Sequence, residues 1–294
     1  MDALARSGLW PLRATWLLLA LVAVPLADDA LDGRTAAVRA TVAVLGYGGW
    51  AAVVVALLVP RTTSLTVVRT AVPALAAGVL VAAAQGEVGA LAVAAVGLGS
   101  VAVALALAPW VADALVDGSS YGPERRLSLR IPSVVALAAV ATWALLAASV
   151  VGGPLLLASR RWAAGGLVLA VAVGAVVLGG RSIHQLSRRW VVLVPTGLVL
   201  HDPLTMPEPQ LFLRQTVRHL GPATAGITDE LVTEDLTGGA SGLALELVLL
   251  EPVELLVHEG REGAAMRAVH RVLFTPARPA TLLEAARAHR LPVG

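Results

Sequence analysis

The pair His201-Asp202 is the best candidate for acid–base chemistry in this sequence. An imidazole titrates near neutral pH, and a carboxylate that contacts it can orient the ring. Consecutive strand residues, however, point to opposite faces of a sheet. Pro203 follows directly, which is typical of a strand that ends in an Asx turn. The pattern therefore favours a structural role for His201 and Asp202, and we predict no catalytic residue.

Other groups that could support chemistry are scarce or lack the required spacing. The chain has no cysteine, which excludes disulfides, thiolate metal sites and cysteine nucleophiles. All 22 basic residues are Arg, which excludes Schiff-base and P-loop lysines. The six histidines show no metal-ligand spacing, and Ser119, Ser182 and Ser187 lack a nucleophile-elbow context. We therefore expect neither a metal nor a cofactor.

Composition places most of the chain in a membrane. It is 57% hydrophobic and 14% charged, with a mean hydropathy of +0.79, whereas soluble domains are about 25% charged. Unbroken apolar runs of about 20 residues are long enough to cross a bilayer as helices, and they lack the alternation of β-barrel strands. We predict an α-helical polytopic domain over residues 1–180 with spans at 9–27, 41–59, 66–84, 88–112, 134–157 and 162–180.

The first span has a second interpretation as a cleaved signal peptide. Arg6 and Arg13 precede its apolar stretch, and small residues end it. A cut after Ala27 would place Pro25 at the third-last position, where a small residue is preferred. The sequence therefore favours a retained span and leaves cleavage open, and the other five spans keep their orientation either way.

The distribution of Arg predicts the orientation. With the N-terminus inside, ten Arg lie near cytoplasmic span ends and four lie outside, so the positive-inside rule predicts an inner-membrane protein with both termini in the cytoplasm. The cytoplasmic set is Arg6, Arg13, Arg61, Arg69, Arg125, Arg126, Arg130, Arg181, Arg188 and Arg189. We predict anchoring at lipid headgroups or at the interface for Arg125, Arg126, Arg130, Arg181, Arg188, Arg189 and Trp190.

The predicted span centres carry no charged residue. Arg13, Arg39 and Arg69 lie near span ends, where long side chains reach the interface. Pro73 can kink the third span but is commonly tolerated in such helices. These features argue against a transporter without excluding one. Trp50 and Trp143 lie deeper in their spans, and we predict that they pack between helices.

From Arg188 the pattern becomes that of strands. "RRWVVLV" and "GLVLHD" flank Pro195-Thr196-Gly197, which predicts a hairpin with Gly197 in the turn. A third strand is predicted in "QLFLRQTVRHL", alternating strands lie within 243–258, and a helix ends the chain. We predict a small α+β domain over residues 181–294. Its 11 Arg and 12 acidic residues argue against binding to nucleic acid.

This order of elements resembles the bacterial pleckstrin-homology (PH)-like domains: a hairpin directly after a span, further antiparallel strands and a closing helix. The whole chain resembles uncharacterised actinobacterial multi-span membrane proteins. The resemblance implies a cytoplasmic antiparallel sheet with a terminal helix that binds a protein partner or self-associates. The leading hypothesis is a membrane-bound interaction or regulatory module. The alternatives are a transporter or lipid-handling protein, and a membrane enzyme that uses His201 and Asp202.

Overall fold

The structure, a computed structural model, describes residues 8–86, 89–224, 232–260 and 263–294. The described chain forms two compact units. A helical unit contains the residues up to Gly118 and residues 139–184, and a β-rich unit contains residues 119–138 and 185–294. Arg6 of the predicted cytoplasmic set and Val88, the first residue of the predicted fourth span, lie outside the described residues.

Six helical segments are long and apolar enough to cross a membrane, as the sequence predicts. The sixth runs without interruption over Trp162–Leu186, because a single π-helical turn at Ala175–Gly179 joins its two α-helical parts. The helices are α1 (Trp10–Ala30), α2 (Ala36–Leu58), α3 (Thr62–Ala83), α4 (Ala90–Leu107), α5 (Pro109–Asp117), α6 (Ser133–Ala158), α7 (Trp162–Gly174) and α8 (Gly180–Leu186).

Two predicted span ends are corrected. The fourth span was predicted to reach Ala112, but α4 ends at Leu107 and Ala108 is extended. Proline disfavours the helical conformation in the residue before it, and it suits the first position of a helix, so Pro109 ends α4 and begins α5. The sixth span was predicted to end at Gly180, yet its helix continues to Leu186, only three residues before the next strand.

The helices pack through small residues and a few indole hydrogen bonds. A Cβ atom added to Gly99 of α4 would lie 3.5 Å from the Cβ of Ala76 in α3, so these helices approach closely. Trp143 of α6 donates its indole N–H to the Thr70 carbonyl of α3 at 3.0 Å. The backbone carbonyl of Trp50 accepts a hydrogen bond from the indole of Trp16 at 3.3 Å. The prediction that Trp143 packs between helices is therefore confirmed.

The β-rich unit contains two sheets. In the first, the order is β1-β2-β3-β4 and every pairing is antiparallel. In the second, the order is β5-β7-β8-β6, with β6 parallel to β8 and the other pairings antiparallel. The strands are β1 (Arg125–Ser128), β2 (Trp190–Val194), β3 (Gly197–His201), β4 (Gln210–Leu213), β5 (Val217–Pro222), β6 (Thr233–Asp235), β7 (Leu245–His258) and β8 (Ala264–Phe274), followed by helix α9 (Pro279–Ala288).

One apolar core lies between these sheets and the terminal helix. Leu127 of β1, Leu193 of β2 and Phe212 of β4 are almost fully buried in it from the first sheet. The second sheet contributes residues such as Leu247, and α9 contributes Leu282. Alternate strand residues face this core because side chains point to opposite faces of a sheet. The predicted hairpin and terminal helix are confirmed, whereas the predicted third strand divides into β4 and β5, which belong to different sheets.

Strand β1 changes the predicted domain organisation. Residues 125–128 were predicted to lie between the fourth and fifth spans of the membrane domain, yet Leu127 pairs with Val191 of β2. At its end β1 also meets the second sheet, since Arg130 donates its backbone N–H to the Thr275 carbonyl at 2.9 Å. A boundary at 180/181 therefore omits a strand of the β-rich unit.

Gly197 is needed for a reason that the sequence does not show. Its φ angle is not positive, but a Cβ atom there would lie 2.1 Å from the Phe212 carbonyl oxygen of β4. Replacement Gly197→Ala is expected to destabilise the β-rich unit by about 1–3 kcal/mol, because the β3–β4 pairing must open to admit a methyl group. Chemical denaturation of the detergent-solubilised chain measures this loss. Thr196→Ala, in the exposed turn beside it, should leave the midpoint unchanged.

Candidate functional site

The candidate site is a pocket of about 160 Å³ in the β-rich unit. Three elements surround it: the end of α8 with the three residues after it, the end of β3, and the segment 203–209, which contains three prolines. Proline fixes its own φ angle, so this segment forms a stiff wall. The lining residues are Gln185, Arg188, His201, Asp202, Pro203, Met206, Pro207, Glu208 and Pro209.

A buried ion pair supports one side of the pocket. The Arg189 guanidinium donates from Nε to Asp202 Oδ1 at 2.7 Å and from Nη2 to Oδ2 at 2.6 Å, and both residues are only 2% exposed. The third nitrogen, Nη1, donates to the backbone carbonyl of Arg130. Asp202 Oδ1 also accepts the backbone N–H of Leu204 at 3.1 Å, which confirms the predicted Asx turn. The bidentate pair fixes the β3 end to Arg189, and the Nη1 hydrogen bond connects Arg189 to the residues that follow β1.

His201 has one ring nitrogen engaged and one available. The backbone carbonyl of Arg188 lies 2.6 Å from Nδ1, and a carbonyl oxygen only accepts, so Nδ1 carries the proton. Nε2 is then the acceptor in the neutral ring. The ring stacks on Trp190, its partner across the β2–β3 ladder, at 4.7 Å and 12°. Burial lowers the pKa of His201 below its usual value, with the nearby Arg188 charge acting in the same direction.

The arrangement does not form an acid–base dyad. His201 and Asp202 both lie at the pocket, but Nδ1 is bonded to the Arg188 carbonyl and both Asp202 oxygens are bonded to Arg189. Asp202 therefore positions Arg189 and the turn after β3 rather than the imidazole. This is the structural role that the Asp-Pro sequence favours.

Three further residues at the pocket were not predicted from the sequence to belong to a binding site. Gln185 Oε1 is buried without a hydrogen-bond partner among the described residues. Arg188 enters the predictions only as an anchor, and Glu208 not at all. Within the part of the chain that the structure describes, no hydrogen bond or ion pair engages the Arg188 guanidinium or the Glu208 carboxylate. The run "PLTMPEP" at 203–209 is the one sequence signal for such a wall.

The predicted anchoring residues fall into different settings. Arg126 lies in β1 and pairs with Glu124 at 3.3 Å, while Arg181 is exposed on α8. Arg125 also lies in β1, and Arg130 accepts the Arg189 hydrogen bond through its backbone carbonyl. Trp190 is occupied by its stacking on His201. Arg189 is buried, so its guanidinium serves the pair with Asp202, and headgroup anchoring stays a prediction for the others.

The helical unit contains a polar group that the sequence conceals. Asp113 of α5 is 2% exposed and interacts electrostatically with Arg69 of α3. One turn away, Thr66 hydrogen-bonds His184 Nδ1 at 2.8 Å. In the sequence, "DALVDG" is typical of a turn. Hydropathy does not reveal that Pro109 begins a separate buried helix, α5, which contains Asp113. The groove of about 360 Å³ between α3 and α4 is lined by Pro, Ala, Leu and Val with Ser100 as its one polar residue.

The lowered pKa of His201 predicts a pH dependence of stability. The unfolded chain binds a proton near pH 6.5, whereas the folded chain resists protonation until a lower pH. Stability is therefore complete above about pH 6.5 and decreases as the pH falls through the folded pKa. Thermal unfolding of the chain at pH 7.5 and pH 5.5 should show this loss. It should shrink in His201→Gln and persist in His258→Gln, which replaces an exposed histidine.

No protein-family model matches the chain, and no curated protein or solved structure is similar enough to it to count as a match. The residues and contacts described above are thus the basis for any functional proposal.

Proposed function

We propose that this chain is a membrane-bound interaction or regulatory module of the inner membrane, which presents a PH-like β domain to the cytoplasm. The pairing of β1 with β2 carries the proposal. β1 lies before the fifth candidate span and β2 follows the sixth, so two spans are inserted between neighbouring strands of one sheet. The domain is thereby attached through two chain segments, which suits a rigidly presented binding surface better than a loosely tethered one.

The topology of the β-rich unit supports the PH-like assignment. Four antiparallel strands form the first sheet, the second contains the antiparallel strands β5, β7 and β8, and α9 covers the core with Leu282. The end of β1 bridges to the second sheet through the Arg130–Thr275 backbone hydrogen bond. Two sheets that are joined by this backbone hydrogen bond and covered by a helix fit the predicted element order.

The orientation is supported by the same pairing. The hydrogen bonds between β1 and β2 support a topology in which the segments before the fifth span and after the sixth share one side of the bilayer. In this topology the Arg-rich segments 125–130 and 181–189 share that side, and the positive-inside rule favours the cytoplasmic side for them.

The alternatives have less support. A transporter needs a polar path between spans, and the groove at α3 and α4 is lined almost entirely by apolar residues. The Arg69–Asp113 interaction favours it among the described residues, but it joins only two neighbouring helices, α3 and α5. An enzyme that uses His201 and Asp202 as a dyad needs a hydrogen bond between them, but Asp202 is bonded to Arg189 and His201 to the Arg188 carbonyl.

Proximity labelling tests the proposal in native membranes. A biotin ligase fused after Gly294 is expected to label a limited set of proteins, or other copies of the chain. Leu127→Asp places a charge in the domain core and should abolish this set without removing the spans. Arg181→Gln, an exposed change, should preserve it. Identical labelling by the Leu127→Asp chain would show that the β domain recruits no partner.

A further inference from the structure

The pocket beside β3 contains several polar groups that the protein leaves unused. Gln185 Oε1 is buried without a partner, and His201 Nε2 accepts no hydrogen bond from any residue that the structure describes. The Arg188 guanidinium and the Glu208 carboxylate line the same space. A buried amide oxygen without a partner is unfavourable, so a ligand that supplies its donor is favoured.

The types of these groups define the ligand. Arg188 supplies N–H donors and a positive charge that match an acidic oxygen, above all that of a phosphate. The other three groups are acceptors: the Gln185 amide oxygen, the neutral His201 nitrogen and the Glu208 carboxylate. Acceptors grouped around a carboxylate match an ammonium, which donates three N–H bonds. A complementary molecule therefore carries a phosphate and a primary ammonium close together.

The size and the position of the pocket restrict the ligand further. A volume of about 160 Å³ equals that of roughly five water molecules at ~30 Å³ each, which suits a molecule with two carbons between its charged groups. Gln185 is the next-to-last residue of the sixth candidate span, Trp162–Leu186. Residues at the end of a span lie at the level of the polar headgroups.

We propose that this pocket binds a phosphoethanolamine group, either as the headgroup of a phosphatidylethanolamine lipid or as the free compound. The phosphate pairs with Arg188, and the ammonium donates to Glu208, Gln185 Oε1 and His201 Nε2. The inference rests on the proposed function, because it assigns a ligand to the domain that the module presents. The stacked Trp190 holds the imidazole in place and the Arg189–Asp202 pair holds the turn, so the pocket is formed before the ligand arrives.

Calorimetry on the full chain in detergent tests the chemistry. O-phosphoethanolamine is expected to bind, whereas phosphocholine, which has the same phosphate but no ammonium N–H, should bind at least about tenfold more weakly. Inorganic phosphate should also bind weakly. Glu208→Gln removes the carboxylate charge and Arg188→Gln removes the guanidinium, and each should raise the Kd for O-phosphoethanolamine about tenfold. Glu251→Gln and Arg214→Gln, which change exposed residues outside the pocket, should bind like the parent chain.

Nanodiscs distinguish the two sources. If the lipid is the ligand, the chain in phosphatidylcholine nanodiscs should gain thermal stability when phosphatidylethanolamine is added, and Glu208→Gln should lose that gain. If O-phosphoethanolamine binds but phosphatidylethanolamine does not change the thermal stability, the ligand is the free compound rather than the lipid. The proposal would be overturned if phosphocholine or inorganic phosphate bound as tightly as O-phosphoethanolamine. It would also be overturned if the two pocket variants bound O-phosphoethanolamine as tightly as the parent chain, or if the parent chain did not bind it. Proximity labelling by the Glu208→Gln chain distinguishes failure of the ligand proposal from failure of the proposed function. The proposed function predicts that this chain labels the same set of partners as the parent chain, whether or not the pocket binds the ligand.

Discussion

A fragment that begins at Arg188 is expected to remain largely unfolded, whereas the same fragment preceded by β1 is expected to fold. Without β1 and the residue after it, the core loses Leu127 and Leu129, which are 1% and 6% exposed. Each buried leucine contributes about 1.5–3 kcal/mol. The fragment also loses every β1–β2 backbone hydrogen bond and the Arg130 carbonyl that accepts from Arg189. These losses are a large part of the ~5–15 kcal/mol that stabilises a domain.

The experiment joins residues 119–132 to residues 187–294 through a flexible linker. The joined ends are close, because Leu129 donates its backbone N–H to the Arg189 carbonyl at 3.1 Å, and a Gly/Ser linker of ~12 residues spans roughly 20 Å. Circular dichroism and urea titration should show a cooperative β domain for the joined chain. The matched control is the joined chain with Leu127→Asp. Equal stability of the fragment from Arg188 would refute the role of β1.

The second large effect is expected from the buried ion pair. Asp202→Ala leaves the Arg189 guanidinium in the interior without its counter-charge, and breaking such a pair from one side costs about 3–5 kcal/mol. The Asx turn loses its acceptor as well. Chemical denaturation of the joined β domain or of the full chain measures the change, with Glu251→Ala as an exposed carboxylate control.

A double variant separates the charge from its packing. Arg189→Met with Asp202→Leu removes both charges and retains apolar volume, so it should be clearly more stable than Asp202→Ala alone. If the single variant is as stable as the parent chain, the pair contributes nothing. If the double variant is no better than the single one, the loss arises from the turn hydrogen bond rather than from the stranded guanidinium.

The predictable parts of this structure are those in which a local pattern suffices. Continuous apolar runs predict the six spans, and the Pro195–Gly197 turn between apolar segments predicts the β2–β3 hairpin. Strand β1 escapes prediction because it has four residues, two of them Arg, and its partner β2 comes only after two further candidate spans. Its strand conformation depends on a pairing between distant segments, which composition does not contain.

The candidate site shows the same division. The Asx turn at Asp202 follows from a dipeptide and is confirmed. The burial of Arg189 and the unpaired oxygen of Gln185 depend on tertiary packing, which the sequence does not show. Gln185 also lies beyond the predicted end of its helix, Gly180. The reason for Gly197 is also tertiary, because the Phe212 carbonyl that excludes a side chain belongs to another strand.

The position of β1 between the fourth and fifth spans imposes an order on biogenesis. During translation β1 emerges roughly 60 residues before β2, a delay of about 3–12 s at ~5–20 residues per second. β2 can pair with β1 only after the two intervening spans have crossed the bilayer and returned the chain to the side of β1. The first sheet can assemble only after both insertions succeed. A folded β domain therefore requires the correct insertion of both spans.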